Sequence, residues 1–190
     1  MPFPGDIALQ DCILGLEFSG RDENGNRVMG MIPSKALATT CIVDDPDFLW
    51  PIPEHWSMEE ASTVPCVYAT AYYSLIIRGN LKRGEKVLIH SGSGGVGQAA
   101  INICLSLDCH LFITVGSDAK RDYLKKLFPK LTDQNFSSSR DLSFKCHVMN
   151  ETKGTGVDLV LNSLSKYKLK ASIECLADNV IDYQNYINFY

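Results

Sequence analysis

The sequence predicts an α/β protein in which an incomplete parallel sheet, flanked by helices, follows a smaller and partial β-module. Three observations carry this. From Lys86 onward, short apolar runs alternate with helix-spaced segments, the rhythm of β-strands joined by crossover helices. A knot of glycines, Gly92-Ser93-Gly94-Gly95-Val96-Gly97, stands between the first of those runs and the helix after it. The first fifty residues are instead strand-rich, with Asn24-Gly25 as a tight-turn signal.

Each element follows in order. Strands are expected at Ile13–Gly20, at Arg27–Ile32 and, from its Thr, Val and Ile content, at Ala36–Asp44. The segment from Asp44 to Trp56 carries three prolines and reads as an extended linker. Ser57 and Glu60 form a capping box that opens a helix, and a second helix is expected over Cys66–Arg78, ended by Gly79. Then come a strand at Lys86–His90, a helix at Gly95–Leu107, a strand at His110–Gly116 and a helix at Asp118–Phe128, stopped by Pro129. A weak strand near Asn135 and Phe136, a helix near Arg140–Asn150, a strand at Val157–Ser163 and a helix at Lys166–Leu176 complete the rhythm. The last stretch, ADNVIDYQNYINFY, reads as neither a strand nor a capped helix. The sheet is therefore expected to have about four strands and an open edge. The organisation expected is a substrate module over residues 1–50, a dinucleotide-binding domain with leading helices over 51–177, and a divergent tail over 178–190.

Composition narrows the class of function. The chain has 190 residues, 45% of them hydrophobic and 21% charged, enough for a packed core. A net charge of -4 without a basic run argues against nucleic acid as a partner. No signal peptide or 18-residue apolar run occurs, so no membrane span is expected. Seven cysteines, an odd number without a CxxC pair, read as reduced, mostly buried thiols; this suits a reducing cytoplasm and gives no metal site.

The glycines are the chemical signal. Gly92, Gly94 and Gly97 make a GxGxxG, weak alone but strengthened by its place after a strand and at the head of a βαβ unit. Gly92 is expected to permit the tight turn, Gly94 to let a diphosphate approach the backbone, and Gly97, with Ala100, to let the helix pack closely on the strand. The helix amides and dipole would then face the diphosphate. A bare turn without ligand is the competing reading. An NAD-binding unit places an acidic residue about 20 positions on; here Gly116 and Ser117 stand there, with Lys120 and Arg121 in the next helical turn. Ser117 and the two cations suit a 2′-phosphate, so NADPH is favoured over NADH, with Asp118 as the one opposing charge. Asn162 and Ser163 end a strand where a loop would meet the nicotinamide, or would simply turn. Arg140 is either an adenosine-side contact or a surface arginine. His90 reads as a structural residue sooner than as an acid or base.

The strings LGLEFSGRD, DFLW, VPCVYATAYYSLIIRG, VLIHSGSGGVGQAA, TVGSDAKRDYL and GVDLVLNSL together resemble the enoyl reductase region of animal fatty acid synthase. That region belongs to the zinc-free, quinone-reductase-like branch of the medium-chain dehydrogenase/reductase superfamily. The resemblance runs from about Ile13 to Leu176 and implies a GroES-like substrate domain, here partial, followed by a Rossmann domain that binds NADPH. It implies reduction of a trans-2-enoyl thioester carried on an acyl carrier domain, in fatty acid biosynthesis, by hydride transfer to the β-carbon and protonation of the α-carbon. By the same resemblance Gly92, Ser93, Gly94, Gly95, Val96 and Gly97 hold the diphosphate, and Ser117, Lys120 and Arg121 the 2′-phosphate. Thr70, Asn162 and Ser163 border the nicotinamide. The family also dimerises. Two departures stand out. The chain begins partway through the substrate domain, and from Asp178 it leaves the family pattern. Ungapped register then puts Ile187 where a candidate proton-donor lysine stands. No catalytic residue is assigned, and a truncated product is expected. The alternatives are an inert NADPH-binding module and a free-standing quinone-reductase-like oxidoreductase.

Overall fold

The computed structural model describes residues 14–177 and the strand Tyr186–Asn188. The chain divides into two units, Met1–Ala69 and Thr70–Tyr190.

In the first unit, β1 (Glu17–Arg21), β2 (Arg27–Met31) and β3 (Leu49–Pro51) form an antiparallel sheet in that order. The turn between β1 and β2 is built by Asp22, whose carboxylate accepts from the backbone N–H groups of Asn24 and Asn26 at 2.9 and 2.8 Å. Gly25 supplies the left-handed conformation the turn needs, at φ 83°. The start of the first expected strand, Ile13, lies outside the described residues.

The third strand is not where the sequence suggested. Residues 36–44 form no strand; Ala36 and Leu37 instead donate backwards to the carbonyls of Gly15 and Leu14. The partner that β2 takes is β3, inside the expected linker, with Gly30 opposite Leu49. Gly30 allows this, because a Cβ there would lie 2.7 Å from the Phe48 carbonyl oxygen and from the Phe18 ring. A 3-10 turn at Pro46–Phe48, capped by Asp45, delivers the chain to β3.

Two helices follow, α1 (Met58–Ala61) and α2 (Pro65–Tyr72). The Ser57–Glu60 capping box is present in both directions, at 3.0 and 2.8 Å. The expected single helix over Cys66–Arg78 changes character after Tyr72 into a π-helical turn, Tyr73–Arg78. Gly79 closes it with ordinary right-handed backbone. A side chain is forbidden there by packing, since a Cβ would meet Leu159 at 2.3 Å.

The second unit has a parallel sheet in the order β6–β5–β4–β7–β8. Its strands are β4 (Lys86–Ile89), β5 (His110–Val115), β6 (Phe136–Ser138), β7 (Leu159–Asn162) and β8 (Tyr186–Asn188). The helices are α3 (Gly95–Ser106), α4 (Asp118–Leu127), α5 (Ser143–Glu151) and α6 (Lys166–Ile173). Strand alternation sorts the core. On one face Ile113 converges with Ile101 of α3 and Leu124 of α4 near Gly92. On the other, Leu88, Phe112 and Val160 pack with Phe144 and Val148 of α5 and Ala171 and Cys175 from the α6 region.

Among the described residues the sheet has five strands, not about four. Tyr186–Asn188, in a tail expected to be neither a strand nor a capped helix, pairs with Val160–Asn162 in parallel register. The pairing sets Ile187 opposite Leu161. The change of pattern at Asp178 lies outside the described residues.

Candidate functional site: a glycine-loop cavity beyond the strand ends

The site forms where β4, β5 and β6 end at their carboxyl edge, the position at which open α/β sheets bind ligands. The chain leaves β4 through His90 and Ser91. Ser91, not Gly92, takes the left-handed turn, at φ 57°. The glycine requirement at 92 is one of space, because a Cβ would lie 2.3 Å from Ile113 Cγ2. Gly97 is held just as closely: a Cβ would sit 2.6 Å from the Ser91 carbonyl oxygen and 2.7 Å from Gly92 Cα. Helix α3 is thus pressed against the turn itself. At Gly94 the nearest atom to an added Cβ is Ser91 O, at 3.4 Å, so this position is open toward the ligand side.

Gly94 is the N-cap of α3 and offers no side chain to its first-turn amides. Those orphan donors and the positive end of a twelve-residue helix are left for an outside acceptor. Gln98 donates to the Ser93 carbonyl at 2.9 Å and holds the loop from inside the helix.

A cavity of about 570 Å³ opens in front of this loop. Ser91, Ser93 and Gly94 form one wall. Gly116, Lys120 and Tyr123 form the second, and Ser139 and Arg140 the third. The Arg140 Nε donates to the Gly116 carbonyl at 3.1 Å, which lays the guanidinium across the end of β5. A Cβ at Gly116 would stand only 3.5 Å from that Nε. The cavity therefore joins uncapped helix amides to two cations and several hydroxyls, and no carboxylate lines it.

Of the residues that the sequence singled out, Ser93, Gly94, Gly116, Lys120 and Arg140 line the cavity. Gly92 and Gly97 are buried beneath it, and Gly95 and Val96 continue the helix end. Ser117 is exposed as the N-cap of α4, its hydroxyl capping nothing. Arg121 turns elsewhere: its guanidinium meets Asp118, Asp122 and Asp133 at 3.2, 3.7 and 3.6 Å. The same pairing draws the Asp118 charge to Arg121. Asn162 is fully buried and folds onto its own loop, donating to the Leu164 carbonyl at 2.7 Å and accepting from the Leu164 N–H at 3.1 Å. Ser163 reaches Ser91 Oγ at 3.1 Å and so touches the glycine loop from the β7 side. Thr70 lies half-buried in α2 and is not among the cavity's lining residues.

Sequence reasoning missed Ser139 and Tyr123. The run Ser137-Ser138-Ser139 before Arg140 was a usable signal, since β6 ends there and its neighbours β5 and β4 already pointed to the site. Tyr123 follows Lys120 by three residues, the spacing that keeps side chains on one helix face.

His90 sits below the loop, 3% exposed, between Thr114 and Ser172. Burial, with the Lys168 charge nearby, pushes its pKa down to about 4, so the ring is neutral at physiological pH.

No family model matches the chain. Among solved structures, the CurK enoyl reductase superposes with a TM-score of 0.82 and 27% identity over 95% of this chain and 61% of that one. The nucleotide-binding subdomain of the enoylreductase domain of PpsC from Mycobacterium tuberculosis is 40% identical, with a TM-score of 0.55 over 59% of this chain and 60% of that one. The highly reducing polyketide synthase ALT1 of Alternaria alternata is 41% identical over 182 residues, 91% of this chain. The chain is similar to polyketide-synthase enoyl reductases. Its α/β fold, with a parallel sheet and a small antiparallel one, is that of those enzymes. The synthase class thus differs from the expectation: the relatives matched here are polyketide synthases, and they do not support animal fatty acid synthase in particular. The chain spans 4% to 7% of the length of such synthases.

Proposed function

We propose that this chain is the NADPH-binding part of an enoyl reductase from a multidomain reducing synthase, acting on trans-2-enoyl thioesters held by an acyl carrier. A polyketide synthase is the favoured setting, supported by the synthases to which the chain is similar; a fatty acid synthase is the second, supported by the sequence strings quoted above. The observation that carries the reading is the cavity itself. Uncapped amides at Gly94–Gly97 face the same space as Lys120, Ser139 and Arg140, and glycine stands at position 116 where a ribose-binding carboxylate would favour NADH.

The residues present fit that cofactor. The helix end would take the diphosphate, and a side chain at Gly97 would push Ser91 and Gly92 into that space. Lys120 and Arg140 would take the 2′-phosphate, Arg140 through the guanidinium nitrogens not occupied by Gly116, with Ser139 and Ser117 as hydroxyl donors. Tyr123 supplies a flat wall beside them. When bound, NADPH supplies the hydride for the reduction. The chain's own share is to hold charge on the phosphates and fix the loop, since binding at a helix end needs no side-chain reorganisation.

A second reading, binding without turnover, is favoured by the resemblance: its ungapped register puts Ile187, a residue that cannot donate a proton, where the family's candidate proton-donor lysine stands. A substrate module over residues 1–50, a reducing cytoplasm and the family's dimerisation belong to the same proposal. The experiment is direct. The 190-residue chain is titrated with NADPH and NADH by cofactor fluorescence and then assayed with a crotonyl thioester. Tight NADPH binding with turnover supports the enzyme, binding alone supports the second reading, and absence of binding contradicts both.

A further inference from the structure

We propose that His90 is a positioning residue for the glycine loop, acting through Thr114 on the Ser91 amide and so on the aim of the α3 N-terminus. The inference rests on the dinucleotide reading of the cavity and deepens it, by naming what holds the phosphate-binding turn in place.

The hydrogen bonds define one direction of donation. The Ser172 hydroxyl donates to the Lys168 carbonyl at 2.8 Å, so its oxygen is left to accept from His90 Nε2–H, at 2.8 Å. With the one proton of the neutral ring on Nε2, Nδ1 accepts from the Thr114 hydroxyl at 3.1 Å, and the Thr114 oxygen accepts in turn from the Ser91 N–H at 3.2 Å. Every proton in this chain is used once, and the imidazole is the Nε2–H tautomer. His90, Thr114 and Ser172 are all buried. The Phe144 ring meets the imidazole edge-on, with centroids 5.0 Å apart and an interplanar angle of 82°, and fixes its plane.

The end of this chain is the residue on which the turn depends. Ser91 carries the left-handed backbone, at φ 57°, which a non-glycine residue adopts only where its surroundings hold it. Its carbonyl accepts from the Gly94 N–H at 3.0 Å, and it is the atom that a Cβ at Gly97 would meet. Thr114 holds the loop twice, since its own carbonyl accepts from the Gly92 N–H at 3.0 Å. A second line leaves from α6: the Lys168 ammonium donates to the Ser139 carbonyl at 2.6 Å, beside Arg140. One network, buried at His90, Thr114 and Ser172 and partly exposed toward Ser91 and Lys168, therefore runs under the cavity and ties its first and third walls. His90 is the central member, and it holds no charge to give to a reaction.

The two ring nitrogens make the claim testable, because two amides each reproduce one of them. In His90→Asn the amide oxygen stands near the Nδ1 position and can accept from Thr114, while the Ser172 contact is lost. In His90→Gln the amide nitrogen reaches toward Ser172, while the Thr114 contact is lost. The full chain is titrated with NADPH by fluorescence, melted, and followed by amide hydrogen exchange without cofactor. Both variants are expected to melt below the wild type. NADPH affinity should fall about tenfold in His90→Gln and in Thr114→Val, the loss of one buried hydrogen bond, yet stay within about twofold in His90→Asn and Thr114→Ser. Exchange of the Ser91 amide should quicken in the first two variants only. Ser172→Ala should lose thermal stability and keep its NADPH affinity. If affinity instead follows melting temperature across all five variants, or Ser91 exchange is the same in all, His90 is a packing residue and the inference fails. A wild-type chain that does not bind NADPH overturns the dinucleotide reading, and the Ser91 exchange pattern then still decides whether His90 sets the loop.

Discussion

Lys120 and Arg121 are neighbours in sequence and yet do different work. Consecutive helical residues point about 100° apart, so one cation faces the cavity while the other joins Asp118, Asp122 and Asp133. The missing partner comes from the loop after β6, where the Arg140 Nε bonds to Gly116. Lys120→Ala and Arg140→Ala are each expected to weaken NADPH binding roughly tenfold, in line with about 1.5 kcal/mol for a charge-assisted hydrogen bond, and to leave NADH binding nearly unchanged. Arg121→Ala should leave both within about twofold, measured by the same titration. Gly116→Asp should invert the preference, because its carboxylate would occupy Arg140 and repel a 2′-phosphate. A pair of adjacent basic residues was legible in the sequence; which of the two the carboxylates would claim was not, since Asp133, twelve residues away on another turn, joins the local Asp118 and Asp122 on Arg121. His90 carries a pH signature of its own. Its folded pKa lies near 4, against 6.5 unfolded, so between those values the unfolded chain binds the extra proton. Stability should then be fully present above pH 6.5 and decline as pH falls toward 4, by up to about 3 kcal/mol. Urea titrations at pH 7 and pH 5 should show a smaller difference for His90→Asn than for the wild type.

At the scale of elements, the strand–helix alternation from Lys86 was legible because β4, β5 and β7 are mainly apolar runs, while β6, with Phe136 as its one apolar residue, showed only weakly. The capping box at Ser57 and Glu60 was equally legible, being a contact between residues three apart. The third strand was not. Ala36–Asp44 has the better β composition, but its backbone bonds back to Leu14 and Gly15, and β2 pairs with Leu49–Pro51. Partner choice between two short segments is a tertiary matter that composition does not encode. The glycines show the same limit. Their presence was visible, while the reason for Gly92 and Gly79 is the side chain opposite, Ile113 and Leu159. Gly97→Ala is expected to destabilise the chain by about 1–3 kcal/mol and to remove NADPH binding, since the methyl group would displace Ser91 and Gly92. Gly154→Ala, where an added Cβ meets nothing within 4 Å, should strain only a left-handed backbone at φ 82° and leave binding intact. Melting curves with and without NADPH separate the two effects. Helix α3 also ends in a left-handed turn: Asp108 lies at φ 52°, and Cys109 donates to the Cys104 carbonyl at 3.0 Å. This turn brings two thiols together in the core, which is why the closest cysteines in sequence are structural.

At the scale of the molecule, the second unit is a parallel sheet with the site at one end and cores on both faces. The sequence suggested an open edge after β7, because ADNVIDYQNYINFY has no strand pattern. The pairing of Tyr186–Asn188 with β7 shows why that reading fell short: three residues suffice to pair with an existing strand, and a three-residue run is too short to show alternation. A chain shortened to end at Ala177 should therefore lose stability and aggregate at lower concentration than the whole chain, as light scattering and melting would record, because Val160–Asn162 would keep β4 on one side and lose their partner on the other. Equal behaviour of the two would show that β8 adds nothing to the sheet.

The most direct measurement is calorimetric titration of the 190-residue chain with NADPH and with NADH, on the wild type and on Arg140→Ala. NADPH should bind the wild type at least about tenfold more tightly than NADH, and the difference should largely vanish in Arg140→Ala. Equal affinity for both cofactors in the wild type, or a preference untouched by the loss of Arg140, would contradict a phosphate site between α4 and the loop after β6.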